Sequence, residues 1–389
     1  MTSLVSHRLV RAGVLASAIG SIFASGGAQA AEWLFAPTAR MSTAYADNPR
    51  LQEDGGTSTT AYLGELGGEL QRRTERSSLK LQPQLRSSRY SEDDSLDSDD
   101  QYLNTSASYL TQRAQWDASL NLGRDTTLTS ELASTGLVQT NRRHESAALN
   151  VGATFMSTDV SHYGAQLYLL DSRYVDAVGT GLVDYRYRSV SPFWQGSATE
   201  RSDVTITAQI GELFVPVFES RTRDASLRLA WSTRPAELWT TKLSAGPAYV
   251  NSSSGEDSGV VFDADLERRG ERWRVTANAG RNLTPTGRGV LTRRDRVMLG
   301  VNRRVSEFVS ASATMQWTRN QDLLPQAGIA FTDVEYGRVD VNLNWRISEH
   351  WSVGLALAAA TQNNEASAGS ADYQRASLSI LWNGQQQAL

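Results

Sequence analysis

The side chains best spaced for chemistry are acidic. Asp263, Asp265 and Glu267 form a comb with a step of two in VFDADLERR, and Glu65 and Glu69 lie four apart in LGELGGEL. Paired carboxylates can act as general acid and base, as in glycoside hydrolysis. Nothing else completes such a site. Beyond residue 30 the histidines His144, His162 and His350 stand apart from one another, cysteine is absent, and no Gly-x-Ser-x-Gly turn occurs. Metal-ligand spacing is missing as well. These carboxylates therefore read as wall charges, and the chain is not expected to be an enzyme, to bind a metal or to carry a cofactor.

The basic residues are almost all arginine, the exceptions being Lys80 and Lys242. An arginine fork holds carboxylates bidentately, so opposed arginines and acids can brace neighbouring strands or line a polar track.

The elements that would position these charges are strands. Val339, Val341, Leu343, Trp345 and Ile347 alternate with Asp340, Asn342, Asn344 and Arg346; after Ser348-Glu349-His350 the alternation resumes from Trp351 to Ala359. A period of two gives one apolar and one polar or small face. Each arm is about nine residues, enough for a tilted strand to cross a bilayer, and a Trp lies beside the turn on both arms, where a membrane-interface aromatic belongs.

The same hairpin recurs along the chain. Tight charged turns such as ERRGERW, RRVSEF and RISEHW alternate with longer polar connections rich in Gly, Ser, Thr and Asn, and an aromatic follows several of the tight turns: Trp116, Trp239, Trp273, Phe308 and Trp351. Short turns at one rim and long loops at the other are the asymmetry of outer-membrane barrels. The expected fold is all-β: an antiparallel transmembrane β-barrel of about eighteen strands, or sixteen if one hairpin is miscounted. A β-propeller would share the roughly forty-residue period but not the strand length.

Residues 1–30 read as a signal peptide, with Arg8 and Arg11, a short apolar run from Ala12 to Ala24 and a small-x-small site at Ala28-Gln29-Ala30. Residues 31–389 are then the barrel. Without the leader the net charge goes from −4 to −6, which argues against nucleic acid as a partner. Mean hydropathy is −0.39, a value that barrels reach because every second residue faces water.

Alternation assigns Glu65, Glu69, Arg186, Arg188, Arg228, Lys242, Asp263, Asp265, Glu267, Arg274, Arg296, Arg338, Asp340, Asn342 and Arg346 to the lumen, with Val183, Tyr185 and Tyr187 outside. Small polar side chains accompany them: Ser119 and Asn121, Thr276 and Asn278, and Ser310 to Gln316. Eighteen strands leave an aqueous channel, to be narrowed by side chains or an infolded loop because no plug-sized block is present.

The arrangement resembles the β-barrel porins associated with exopolysaccharide secretion loci. The resemblance rests on YADNPRL after an aromatic start, the ERW and SEHW turn–tryptophan junctions and the closing ASLSILW strand, and it spans residues 31–389. It implies export of exopolysaccharide or capsule chains across the outer membrane of a Gram-negative bacterium. Its partners would be outer-membrane lipid, polysaccharide and periplasmic export proteins. It carries no defined functional residues. Two other readings stand beside it: a general diffusion porin for small hydrophilic solutes, and a structural or adhesive surface barrel.

Overall fold

In a computed structural model, residues 31–53, 56–134, 141–324, 333–364 and 369–388 are described. The expected signal peptide lies outside them. Eighteen antiparallel strands follow one another round a ring: β1 (Glu32–Asp47), β2 (Thr59–Arg73), β3 (Ser77–Tyr90), β4 (Ser98–Leu110), β5 (Ala114–Thr126), β6 (Arg143–Thr158), β7 (Ser161–Val175), β8 (Tyr185–Thr199), β9 (Ser202–Val215), β10 (Ser220–Thr233), β11 (Trp239–Ser252), β12 (Gly255–Arg269), β13 (Trp273–Pro285), β14 (Leu291–Arg304), β15 (Val309–Asp322), β16 (Asp333–Arg346), β17 (Trp351–Asn364) and β18 (Gly369–Asn383). Each pairs with its neighbours in sequence, and β1 pairs with β18 from Thr38↔Asn383 to Asp47↔Gln374, which closes the sheet. Closure leaves no edge to template aggregation. Beyond Asn383, Gln387 and Ala388 form a two-residue β19 (Gln387–Ala388) against Leu34 and Phe35. A short helix, α1 (Thr127–Ser134), follows β5.

The tight turns share a mechanism. Thr74, Thr111, Ser306 and Ser348 each open one, and the hydroxyl accepts the backbone N–H three residues on, of Ser77, Ala114, Val309 and Trp351 respectively. The backbone N–H of each turn opener donates to that same residue's carbonyl. A hydroxyl that mimics backbone pairing is what favours Ser and Thr in tight turns.

Inside and outside follow from packing. Tyr187, Leu213, Val250 and Leu291 sit in one buried cluster although they come from β8, β9, β11 and β14. Strands that are not neighbours can meet only through the interior of a closed ring, so this face is the inner one. Directly paired residues in a ladder share a face, so the registers carry the assignment round the wall. Met41, Leu66, Ile210, Leu229, Leu343 and Leu355 fall on the outer face and are exposed. Leu343 stands opposite Leu355, and Asn344 opposite Gly354 on the inner face. An exposed apolar exterior round a polar interior inverts the pattern of an ordinary core.

The strands are longer than the sequence reading expects. β16 and β17 have 14 residues each, where the crossing needs about 9–11. The surplus lies at the long-loop end, where both faces become polar or packed. Along the inner face of β16, Val334 and Tyr336 are buried, Arg338 and Asp340 are half-buried, and Asn342, Asn344 and Arg346 are exposed. The lumen is thus open at the tight-turn end and filled toward the other.

Candidate functional site

Two apolar clusters narrow the long-loop end. Tyr174, Tyr185, Tyr187, Leu213, Val215, Val250 and Leu291 form the first, with Leu182, Val183, Leu323 and Leu324 packed on it. Ala46, Leu51, Tyr336, Ala360, Ala371 and Tyr373 form the second. The expected infolded loop is a small one, residues 286–290 between β13 and β14. It crosses the mouth to the β7–β8 connection, six strand positions round the ring, where the Val183 N–H donates to the Gly287 carbonyl at 2.8 Å. Gly289 has φ +74 and lies against Val183 and Val215; a Cβ there would come within 3.0 Å of both. Only glycine meets both demands without strain. Arg288 ties the turn back to Asp322 at 2.8 Å.

Below this constriction the inner wall carries charges held in rows. Arg228 on β10 donates to Asp263 on β12 at 2.9 Å and to Asn282 on β13 at 2.8 Å, and the Asn282 amide returns a bond to Asp263 at 2.8 Å. Next along the comb, Asn278 donates to Asp265 and accepts from Arg296. Lys242 stands directly opposite Asp265. Glu267, nearest the tight turns, meets Arg269 and, at 3.6 Å, Arg274. Arg338 and Asp340, two apart on β16, make a bidentate pair at 2.6 and 2.7 Å. On β2, Glu69 is bound by Lys80 at 2.8 Å and by Gln82 at 3.1 Å. Glu65 stands between Arg40 and Arg86 in the ladder.

Thirteen of the fifteen sequence-assigned lumen residues therefore lie on the inner face: Glu65, Glu69, Arg228, Lys242, Asp263, Asp265, Glu267, Arg274, Arg296, Arg338, Asp340, Asn342 and Arg346. Arg186 and Arg188 do not, and this is a correction. They alternate with buried Tyr185, Tyr187 and Ser189 and point outward, while Val183, Tyr185 and Tyr187, expected outside, pack in the inner cluster. Near the long-loop rim the interior is packed, so aromatics turn inward and charges outward, the reverse of the mid-wall rule. The neighbouring run holds the right phase: Val190 and Trp194 are exposed on the same face as the arginines.

Sequence reasoning also missed a buried polar layer beneath the mouth. The Tyr187 hydroxyl donates to Asp224, at 3.1 Å from the nearer oxygen, and accepts from Gln209. His144 lies 3.0 Å from Asp125 and 2.9 Å from Ser172, and Tyr102 donates to Asp125. A lone histidine in a strand offered no signal, because its partners come from the two neighbouring strands, β5 and β7.

At the opposite mouth a cavity of about 480 Å³ is lined by Arg269, Arg274, Arg304, Asn302, Asn342 and Asn344, among others. It is rich in hydrogen-bond donors. The tight-turn rim bears outward aromatics, and Arg268 lies 5.0 Å from the rings of both Trp239 and Trp273.

No protein-family model matches the chain, and no curated protein does. Several solved structures are similar in fold. The outer membrane protein OpdK from Pseudomonas aeruginosa aligns over 91% of this chain and 99% of its own, at 8% identity and a TM-score of 0.49. OccK2 (OpdF) from the same organism aligns over 92% and 98%, at 10% identity and 0.49. The FrpB iron transporter from Neisseria meningitidis aligns over 86% of this chain and 62% of its own, at 9% identity and 0.45. At these values the fold assignment rests on the chain's own closed ladder of strand pairs, and no activity passes from these proteins to it.

Proposed function

We propose that the chain is an outer-membrane porin of a Gram-negative bacterium that admits small hydrophilic solutes. One observation carries the reading: an inner wall lined with charged, polar and small side chains, open at the tight-turn mouth, that narrows to the turn 286–290 at the other. The exposed apolar belt outside and the aromatics at its tight-turn edge supply the membrane half of the proposal. Paired charges along the wall give a solute many weak contacts, which favours passage over retention.

Polysaccharide export, the first expectation, draws less support. A polymer needs an unbroken track wide enough for a chain, and the buried tyrosines at the long-loop end leave little room for one. Catalysis forms no part of the proposal.

The test is liposome swelling with the full-length protein and sugars of graded size. Entry of monosaccharides with exclusion of long oligosaccharides is expected. No swelling with any sugar would end the porin reading. In cells, loss of surface polysaccharide on gene deletion, with unchanged solute uptake, would restore the export reading.

A further inference from the structure

The outward arginines form a patch of their own. On β7 to β10 the outer face runs apolar through Leu167 and Leu169, Val190, Ile206 and Ile210, then Leu227 and Leu229. One side-chain step beyond the row of Val190, Ile210 and Ala225, about 6–7 Å along the strand, β8, β9 and β10 turn charged, and β7 follows one row later at Asp171. Arg188, Glu212 and Arg223 make the first row across β8, β9 and β10. Arg186 and Arg221 make the second, flanking Phe214, and Asp171 stands beside Arg186.

The charges do not balance. Glu212 is bound by Arg188 at 2.7 Å, Arg223 at 3.3 Å and Arg221 at 3.8 Å, and its side chain is only 14% exposed beneath them. Asp171 is shared by Arg173 at 2.7 Å and Arg186 at 3.1 Å. Arg186, Arg188, Arg221 and Arg223 thus rely on two carboxylates, one of which also serves Arg173, itself opposite Glu145 in the β6–β7 ladder. Each guanidinium has five N–H donors, and one or two acceptors cannot occupy them. The arginines stay open to the outside: the side chains of Arg186, Arg188 and Arg223 are 56%, 65% and 72% exposed. On the outer face of β13 to β16, one step beyond the row of Ala279, Val297 and Trp317, the balance differs. There Arg281 is matched by Asp295, and Arg319 by Asp333 and Glu335. The excess is local.

The geometry points to a docking surface for the phosphate groups of an anionic, phosphorylated lipid in the leaflet at the long-loop rim. Acyl chains would lie on the apolar belt of β7–β10, and the phosphate would meet the guanidinium forks just above it. This rests on the outer-membrane reading. A membrane lipid is favoured over a soluble polyanion because the arginines border the belt directly, at headgroup height, and do not crown a loop. Bidentate arginine–phosphate pairing supplies the recognition.

The test uses the full-length barrel in vesicles of phosphatidylcholine mixed with a bisphosphorylated glycolipid or with its dephosphorylated form, the retained lipid being counted by native mass spectrometry. Wild type should retain the phosphorylated form selectively. Replacing Arg186, Arg188, Arg221 and Arg223 together by Gln should reduce that retention about tenfold or more, since each lost charge-assisted bond is of that order, and leave heat-modifiable migration unchanged. Glu212→Gln, which removes the competing acceptor, should raise it. Equal retention of both lipids, retention unchanged in the quadruple variant, or displacement of the lipid by soluble polyphosphate at equal phosphate concentration would overturn the proposal. Insertion into vesicles without phosphate selectivity would sink this inference alone, whereas failure to insert would sink the membrane reading with it.

Discussion

Arg228 on β10 reaches Asp263 on β12 at 2.9 Å across the intervening β11. It can do so because Gly246 stands between them on the inner face. The β10–β11 ladder is interrupted between Ser226↔Ala248 and Leu229↔Ala245, where Pro247 lacks a donor. A Cβ at Gly246 would lie 1.7 Å from the Leu227 carbonyl oxygen. Gly246→Val should therefore destabilise the barrel by about 1–3 kcal/mol through overpacking. A lower unfolding midpoint in denaturant, read by tryptophan fluorescence in micelles, would register it.

Asp263→Ala should remove the acceptor that both Arg228 and Asn282 use. Breaking charge-assisted bonds at a half-buried site costs about 1.5–3 kcal/mol. Ion selectivity should shift toward anions at the same time. An unchanged midpoint with unchanged selectivity would show that the triad neither braces nor tunes the wall.

Leu355→Arg should impair insertion by about 2–4 kcal/mol, because the outer face of β17 would carry a charge into hydrocarbon. Asn342→Arg, on the inner face, should insert normally and alter conductance instead. Folding yields into vesicles decide between them. The reverse order of effects would invert every strand face, since a one-residue slip exchanges the two.

Opening the long-loop mouth should raise conductance. Leu182 and Val183 pack on the first apolar cluster beside the turn 286–290. Replacing both by Ser removes the apolar contact that holds that turn across the lumen. Single-channel recordings should show larger or noisier openings than wild type. Identical traces would mean that the turn does not limit flow.

Anion preference should come from the arginines bound to neutral acceptors. Arg296 donates to Asn278 and Arg346 to the Glu307 carbonyl. Neutralising both to Gln should lower the anion-to-cation permeability ratio. The difference should shrink at high salt, because the screening length falls to about 3 Å at 1 M. A ratio that does not move would place selectivity elsewhere on the wall.

The sequence by itself determined the strand class, the hairpin rhythm and the faces of the middle of the wall. A period of two is local, and one apolar face beside one polar face survives any choice of neighbour. It marked the tight turns too, because Ser and Thr at their first position act within three residues. Eighteen strands could be counted for the same reason. What only the tertiary structure decided lies at the long-loop end. There Tyr187 meets Asp224 and Val183 meets Gly287, across strands or loops that are not neighbours in the chain. Closing the ring brings these residues together, and filling its mouth turns aromatics inward. Arg186 and Arg188 then point outward because the inner positions beside them are already packed, a fact that no run of residues on β8 contains by itself.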